Sequence, residues 1–212
     1  IEGVVSGPVS DSLGARIAVR KSKMDGFFKL VGIDAAGAVA PDRDRGPDGN
    51  EFIVKAGLQY KPGGRFDALL NLTYSKYKAN EGVLLQRTAC PNGGVAQTTN
   101  PIFGTIEDCK VNGTLVLGAI PPAVLAGQNP KYSRNKPLGF IDNTQYLATL
   151  TANYELTDQI KLTSVSGYYE GDDKTATNFS IEPLLLATDS PWVNLRQFTQ
   201  ELRLASSFGG LF

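Results

Sequence analysis

Apolar and polar residues alternate along most of this 212-residue chain, in stretches that are long for β-strands. Leu70 and Leu72, for example, alternate with Asn71 and Thr73. Side chains of a β-strand point to the two faces of its sheet in turn, so the pattern predicts strands with one apolar and one polar face. The clean segments are residues 13–20, 52–61, 66–75, 146–156 and 197–204, and residues 160–169 are strand-like with less cleanly sorted faces. No segment shows an amphipathic helical pattern, and an all-β fold of about seven strands is expected.

Strand length and the rhythm of the connections favour a membrane barrel over a soluble sandwich. Several segments are about 10–15 residues long, whereas soluble strands average about 5–6 residues and a tilted membrane-spanning strand needs about 9–11. Alternation of short turns with long polar loops is typical of outer-membrane barrels, whose turns face the periplasm and whose loops face the exterior. Short turns are expected at residues 8–11, 61–64, 156–159 and 206–209, and long connections at about 30–50, 80–142 and 172–194.

The two strand faces differ in charge. In the clean segments the apolar face carries no charged residue. Phe66 and Tyr74 lie eight residues apart on this face, as do Tyr146 and Tyr154. Eight residues of strand span roughly 26 Å, close to the apolar band between the aromatic girdles of a membrane barrel. The charged residues of the opposite face are expected to line a water-filled lumen, and they are Arg16, Arg20, Lys55, Asp67, Glu155, Glu201 and Arg203.

The composition excludes several common kinds of catalytic site. The chain has no histidine and two cysteines, which excludes a Ser-His-Asp or Cys-His nucleophile system and a histidine-ligated metal site. Adjacent acids at residues 107–108 and 172–173 would point to opposite faces of a strand, so they do not form an acid/base pair. The formal net charge is zero, which argues against a nucleic-acid partner. Neither enzymatic activity nor a cofactor is expected.

Residues 42–51 are rich in acids and superficially suggest a calcium loop. The EF-hand pattern needs an oxygen ligand at its fifth position and an acid at its twelfth, where this chain has Gly46 and Ile53. The alternating charges and the Gly46-Pro47 pair instead predict a solvated hairpin tip.

Residues 6–18, 162–168 and 198–206 carry a resemblance to a known family. Its most specific part is the run Gln200-Glu201-Leu202-Arg203 near the end of a strand. In these stretches the chain resembles the barrel of TonB-dependent outer-membrane receptors, of the kind abundant in alphaproteobacteria such as sphingomonads.

This resemblance implies an antiparallel transmembrane β-barrel segment with long extracellular loops, part of a larger barrel of about 22 strands. Residues 1–212 would be a partial barrel domain that lacks the family's plug and C-terminal strands. The implied function is uptake of a ferric siderophore or another scarce small nutrient across the bacterial outer membrane. The implied partners are outer-membrane lipid and the TonB protein, which acts through the plug. The lumenal charges would contact the plug or would simply keep the interior wet.

Two questions stay open within this interpretation. In an oxidising envelope Cys90 and Cys109, which share one long connection, are expected to form a disulfide, with two free thiols as the alternative. Lys131, Tyr132 and Arg134 are weak candidates for contacts with an anionic chelate, and the ligand-binding residues are not assigned. A soluble all-β carbohydrate-binding module is the alternative function, since it also explains the alternation and the aromatic residues.

Overall fold

The structure is a computed structural model that describes residues 1–32, 40–41, 43–80, 112–116, 122–127, 139–178, 188–189 and 191–207. In chain order its elements are β1 (Glu2–Ser10), β2 (Leu13–Met24), β3 (Phe28–Val31), β4 (Arg45–Gly46), β5 (Asp48–Tyr60), β6 (Phe66–Asn80), β7 (Thr114–Val116), α1 (Pro122–Gly127), β8 (Phe140–Thr157), β9 (Ile160–Asn178), β10 (Thr188–Asp189) and β11 (Trp192–Ser206). The predicted all-β class is confirmed. Within the described ranges no helix is long and apolar enough to cross a bilayer.

Seven long strands form one antiparallel sheet in the order β1-β2-β5-β6-β8-β9-β11, and β10 pairs with the far end of β9. Each long strand therefore lies beside the next long strand of the chain, which makes the sheet a meander. The short strands β4, β3 and β7 form a second sheet, in which β3 and β7 are parallel.

Tight turns and long connections leave opposite ends of this sheet. Residues 11–12, 61–65 and 158–159 join β1 to β2, β5 to β6, and β8 to β9 at one end, which we call the short-turn rim. Residues 25–47, 81–139 and 179–191 join β2 to β5, β6 to β8, and β9 to β11 at the other end, the long-connection rim. The antiparallel meander produces this separation, because the chain reverses direction at each connection and successive connections therefore lie at alternate ends of the strands.

The strands extend further toward the long-connection rim than the sequence predicts. Strand β9 continues to Asn178 and β11 begins at Trp192, so the predicted connection at 172–194 is too long. The end of β9, residues 172–178, has Ala176 as its one apolar residue, and β11 begins with two adjacent apolar residues, Trp192 and Val193. Neither stretch shows the apolar–polar alternation from which the strands were predicted. The six-residue helix α1 is not predicted by the sequence pattern. It begins at Pro122, a residue whose fixed φ suits the first turn of a helix.

The prediction of a solvated hairpin tip at residues 42–51 is wrong for its described part. Arg45 and Gly46 form β4, and β5 begins at Asp48. Arg43 balances the charge of Asp48, since its Nη1 lies 3.0 Å from Asp48 Oδ2, and the Asn80 side chain donates a 2.7 Å hydrogen bond to Asp48 Oδ1. These polar residues can therefore join the sheet.

Among the described residues, buried apolar side chains lie at the long-connection rim and in the small sheet. The buried apolar side chains among the described residues are Leu30, Ala79, Leu115, Phe140 and Ala176. In the middle of the large sheet, by contrast, Leu58 and Leu150 are 41% and 42% exposed. The described part of the sheet is thus a single layer without a dry core.

Candidate functional site

The strand register assigns every residue of the large sheet to one of two faces. Residues paired directly across antiparallel strands share a face. One such row joins Ala15, Leu58, Leu70, Leu150, Ser166 and Gln200. All five predicted apolar sets therefore lie on one surface, the Leu70 face, and their alternating neighbours lie on the Asn71 face.

The Asn71 face holds the charges predicted for a lumen. The register places all seven on it: Arg16, Arg20, Lys55, Asp67, Glu155, Glu201 and Arg203. Polar side chains of this face bond across the strands. Thr163 Oγ1 donates to Asn153 Oδ1 at 2.8 Å, and Asn153 Nδ2 donates to Asp67 Oδ2 at 2.8 Å, which links β9, β8 and β6.

Two glycines of the Asn71 face lie beneath tyrosine side chains. A Cβ atom built on Gly171 would lie 2.6 Å from the hydroxyl of Tyr169, and one on Gly49 would lie 3.3 Å from the hydroxyl of Tyr77. The tyrosine side chains thus cover bare backbone, a position where glycine permits close approach.

Aromatic side chains border the Leu70 face at both ends. The row nearer the long-connection rim, which we call the outer aromatic row, consists of Phe52, Tyr74, Tyr146, Tyr168 and Phe198. The row at the short-turn rim consists of Tyr60, Phe66 and Tyr154. Ring centroids are 6.3 Å apart for Phe52 and Tyr74, and 5.1 Å apart for Tyr74 and Tyr146. On β5, β6 and β8 the two rows lie eight residues apart.

The apolar surface ends just beyond the outer aromatic row. On each of the five strands, the next residue on the Leu70 face toward the long-connection rim is polar. These residues are Asn50, Lys76, Thr144, Glu170 and Arg196. On β5, β6, β8, β9 and β11 the Leu70 face thus changes from an aromatic residue to a polar one in a single step of two residues, which marks a sharp boundary.

This boundary crosses the sheet obliquely. The register row that contains Phe52 on β5 reaches Asn194 on β11, which is four residues before Phe198. Four residues of strand are about 13 Å, and four strand spacings are about 19 Å, so the boundary is inclined by about 35° to the register rows. Strands of membrane barrels are tilted by about 35–45°, and a band eight residues long projects to about 22 Å at this tilt.

We call the part of the Leu70 face between the two aromatic rows the apolar band. The polar side chains within it form hydrogen bonds with one another. Ser166 Oγ donates to Gln200 Oε1 at 2.6 Å, and Gln200 Nε2 donates to Ser164 Oγ at 2.9 Å. All three side chains lie on the Leu70 face. An amide surrounded by hydrocarbon would be costly without such partners.

Beyond the boundary, charged groups of β9 and β11 pair on the same face. Glu170 accepts hydrogen bonds from the Tyr168 hydroxyl at 2.7 Å and from Arg196 Nη2 at 3.0 Å, and these bonds, led by that of Tyr168, lower the pKa of Glu170 from its ordinary value. Asp172 accepts a 2.9 Å bond from Trp192 Nε1. Asp172 and Asp173 point to opposite faces, as predicted.

Several predicted residues lie outside the described ranges: Cys90, Cys109, Glu107, Asp108, Lys131, Tyr132 and Arg134. The disulfide and the loop contacts therefore remain predictions. Among the described residues, no group of three potential metal-ligating side chains comes together.

Comparison with known proteins gives no relative. No protein-family model, no curated protein and no solved structure matches this chain.

Proposed function

We propose that this chain forms part of the wall of a transmembrane β-barrel in a bacterial outer membrane. The Leu70 face lies against lipid, and the Asn71 face borders a water-filled lumen. The main support for this proposal is the oblique apolar band of the Leu70 face. Its inclination and its height match what a tilted barrel strand requires, and both come from the pairing register of the strands.

A soluble sandwich accounts less well for the exposed surface. A sandwich buries one face of each sheet against a second layer about 10 Å away. Leu72, Leu150 and Leu202 are 41%, 42% and 67% exposed on a single apolar face. Hydrocarbon would cover that face without a second layer, and β5, β6, β8 and β9 are paired with their neighbours along nearly their whole lengths, as a bilayer demands of backbone groups.

The transport role rests on the resemblance to TonB-dependent receptors. In this proposal the barrel wall admits a ferric siderophore or a similarly scarce small nutrient, and TonB opens the path by pulling on the plug. The seven charges of the Asn71 face line the lumen, where they contact the plug or hold water. The long connections collect the ligand outside the cell, and the wall itself performs no covalent chemistry.

Membrane location and uptake test the proposal in sequence. The full-length protein should fractionate with the outer membrane and migrate faster on a gel before boiling than after it, as folded barrels do. A strain that lacks the protein should lose TonB-dependent uptake of its ferric siderophore. Recovery in the soluble extract would contradict the barrel and favour the carbohydrate-binding module, whereas a membrane barrel with unchanged uptake would contradict only the cargo.

A further inference from the structure

Four lysines cluster on the Leu70 face where the apolar band ends. Lys21 and Lys23 lie on β2, and Lys76 and Lys78 lie on β6, with β5 between them. The register pairs Phe52 of β5 with both Lys21 and Lys76, and it pairs Asn50 with both Lys23 and Lys78. We call these four residues the lysine patch.

The spacing allows the four amines to approach one ligand. Lys21 and Lys76 are separated by two strand spacings, or about 10 Å, and the two register rows are about 7 Å apart. Flexible lysine side chains can close such gaps, since the ammonium group ends a four-carbon stem. An anion above Phe52 can therefore contact ammonium groups from both strands.

The patch has excess positive charge. Lys23 Nζ lies 2.5 Å from Asp25, and Lys78 Nζ lies 3.7 Å from Asp142. Within the described residues Lys21 and Lys76 have no ion pair. On β9 and β11 at the same rim, charges are balanced, because Glu170 and Asp172 face Lys174 and Arg196. Positive charge is thus concentrated on β2 and β6.

The surface next to the patch, within the band, is apolar. Val19, Val54 and Leu72 lie on the same face toward the short-turn rim. Phe52 stands between the lysines, and its ring contacts Tyr74 at 6.3 Å between centroids. The face therefore offers cations at one level and a continuous hydrocarbon-like surface beside them.

We propose that the lysine patch binds the phosphate groups of a phosphorylated lipid in the outer leaflet, with the acyl chains along Val54 and Leu72. Phosphate brings several acceptor oxygens and up to two negative charges, which suits several ammonium donors. A lipid fits better than free phosphate, because the apolar surface continues directly from the cations. The inference rests on the proposed position of the Leu70 face against lipid.

Native mass spectrometry of the detergent-extracted full-length protein tests this inference. The probe is diphosphorylated lipid A, compared with the same lipid after removal of its phosphates. The variant Lys21→Gln/Lys76→Gln should bind the phosphorylated probe roughly thirtyfold more weakly, since each lysine near an anionic lipid surface contributes about a factor of five. The control variant Lys61→Gln/Lys161→Gln loses the same charge near the short-turn rim and should bind like the unaltered protein.

The possible outcomes distinguish a lipid from free phosphate as the ligand, and they show whether the lysine patch or the barrel is contradicted. Competition by inorganic phosphate as effective as that by the lipid would overturn the lipid assignment. Equal binding by both double variants, or equal binding of the dephosphorylated probe, would overturn the patch. All three results would be obtained on protein that has already fractionated with the outer membrane, so they would not contradict the barrel. A protein absent from that fraction would contradict the barrel itself.

Discussion

At the scale of single residues, neighbours in sequence experience different surroundings. Leu150 lies at the centre of the apolar band on β8, while Thr149 points to the Asn71 face between Asn71 and Gly167. The sequence predicted this separation correctly, because β8 has an apolar residue at every second position from Tyr146 to Tyr154. The sequence did not place Tyr168 and Phe198 in the outer aromatic row, because polar residues interrupt the apolar pattern of β9 and β11. These residues are Ser164, Ser166 and Gln200, and their mutual hydrogen bonds explain how they can lie on the apolar face.

Substitution of these two neighbours by arginine should lower the stability of the protein by very different amounts. In the proposed barrel, Leu150→Arg places a charge at the midplane of the lipid and should destabilise the folded protein by about 2–4 kcal/mol. Thr149→Arg points into water and should cost far less. Denaturant titration of the full-length protein in lipid vesicles measures both free energies of unfolding. A similar loss for both variants would argue against lipid on the Leu70 face.

At the scale of elements, tight turns fix which residues pair. Residues 61–65 connect β5 to β6, and Gly63 adopts a φ of 83° there. Turn residues such as Pro62 and Gly63 identified this connection in the sequence, because glycine is favoured at positive φ. The extensions of β6, β8 and β9 beyond the outer aromatic row were not predictable, because the Leu70 face becomes largely polar there. The apolar residues that remain, such as Phe140 and Ile141, do not continue the alternation on which the prediction depends.

Two adjacent glycines of this turn allow a matched test. Gly63→Ala should destabilise the protein by about 1–2 kcal/mol, since a Cβ atom is disfavoured in the left-handed region. A Cβ on either Gly63 or Gly64 would meet no atom within 4 Å, and only Gly63 has a positive φ. Gly64→Ala is therefore the control, and the shift in the denaturation midpoint measures both. An equal shift would show that backbone strain at Gly63 is not the cause.

At the scale of the whole molecule, the described sheet has two open edges. Strand β1 pairs only with β2 and β11 pairs only with β9 among the described residues. The fold class could be predicted from alternation alone. The inclination of the apolar band could not, because it depends on the register between strands, which no single segment of sequence contains.

Open edges and an uncovered apolar face predict the behaviour of the isolated chain. Residues 1–212 expressed alone in water should aggregate, since unpaired strand edges recruit other strands and the described part of the sheet lacks a dry core. Sedimentation and light scattering measure this directly. A soluble monomer that unfolds cooperatively would contradict the expectation, because it would require a second layer over the Leu70 face.

In the proposed barrel, the oblique course of the apolar boundary and the number of strands together set the diameter. If all of about 22 strands shared this slant, the wall would have a circumference of about 130 Å and a diameter of about 40 Å. Even after inward side chains take their space, such a bore is far wider than one small nutrient. An unobstructed bore of this width would let other solutes leak across the membrane, so a wall with this geometry needs a folded stopper inside it.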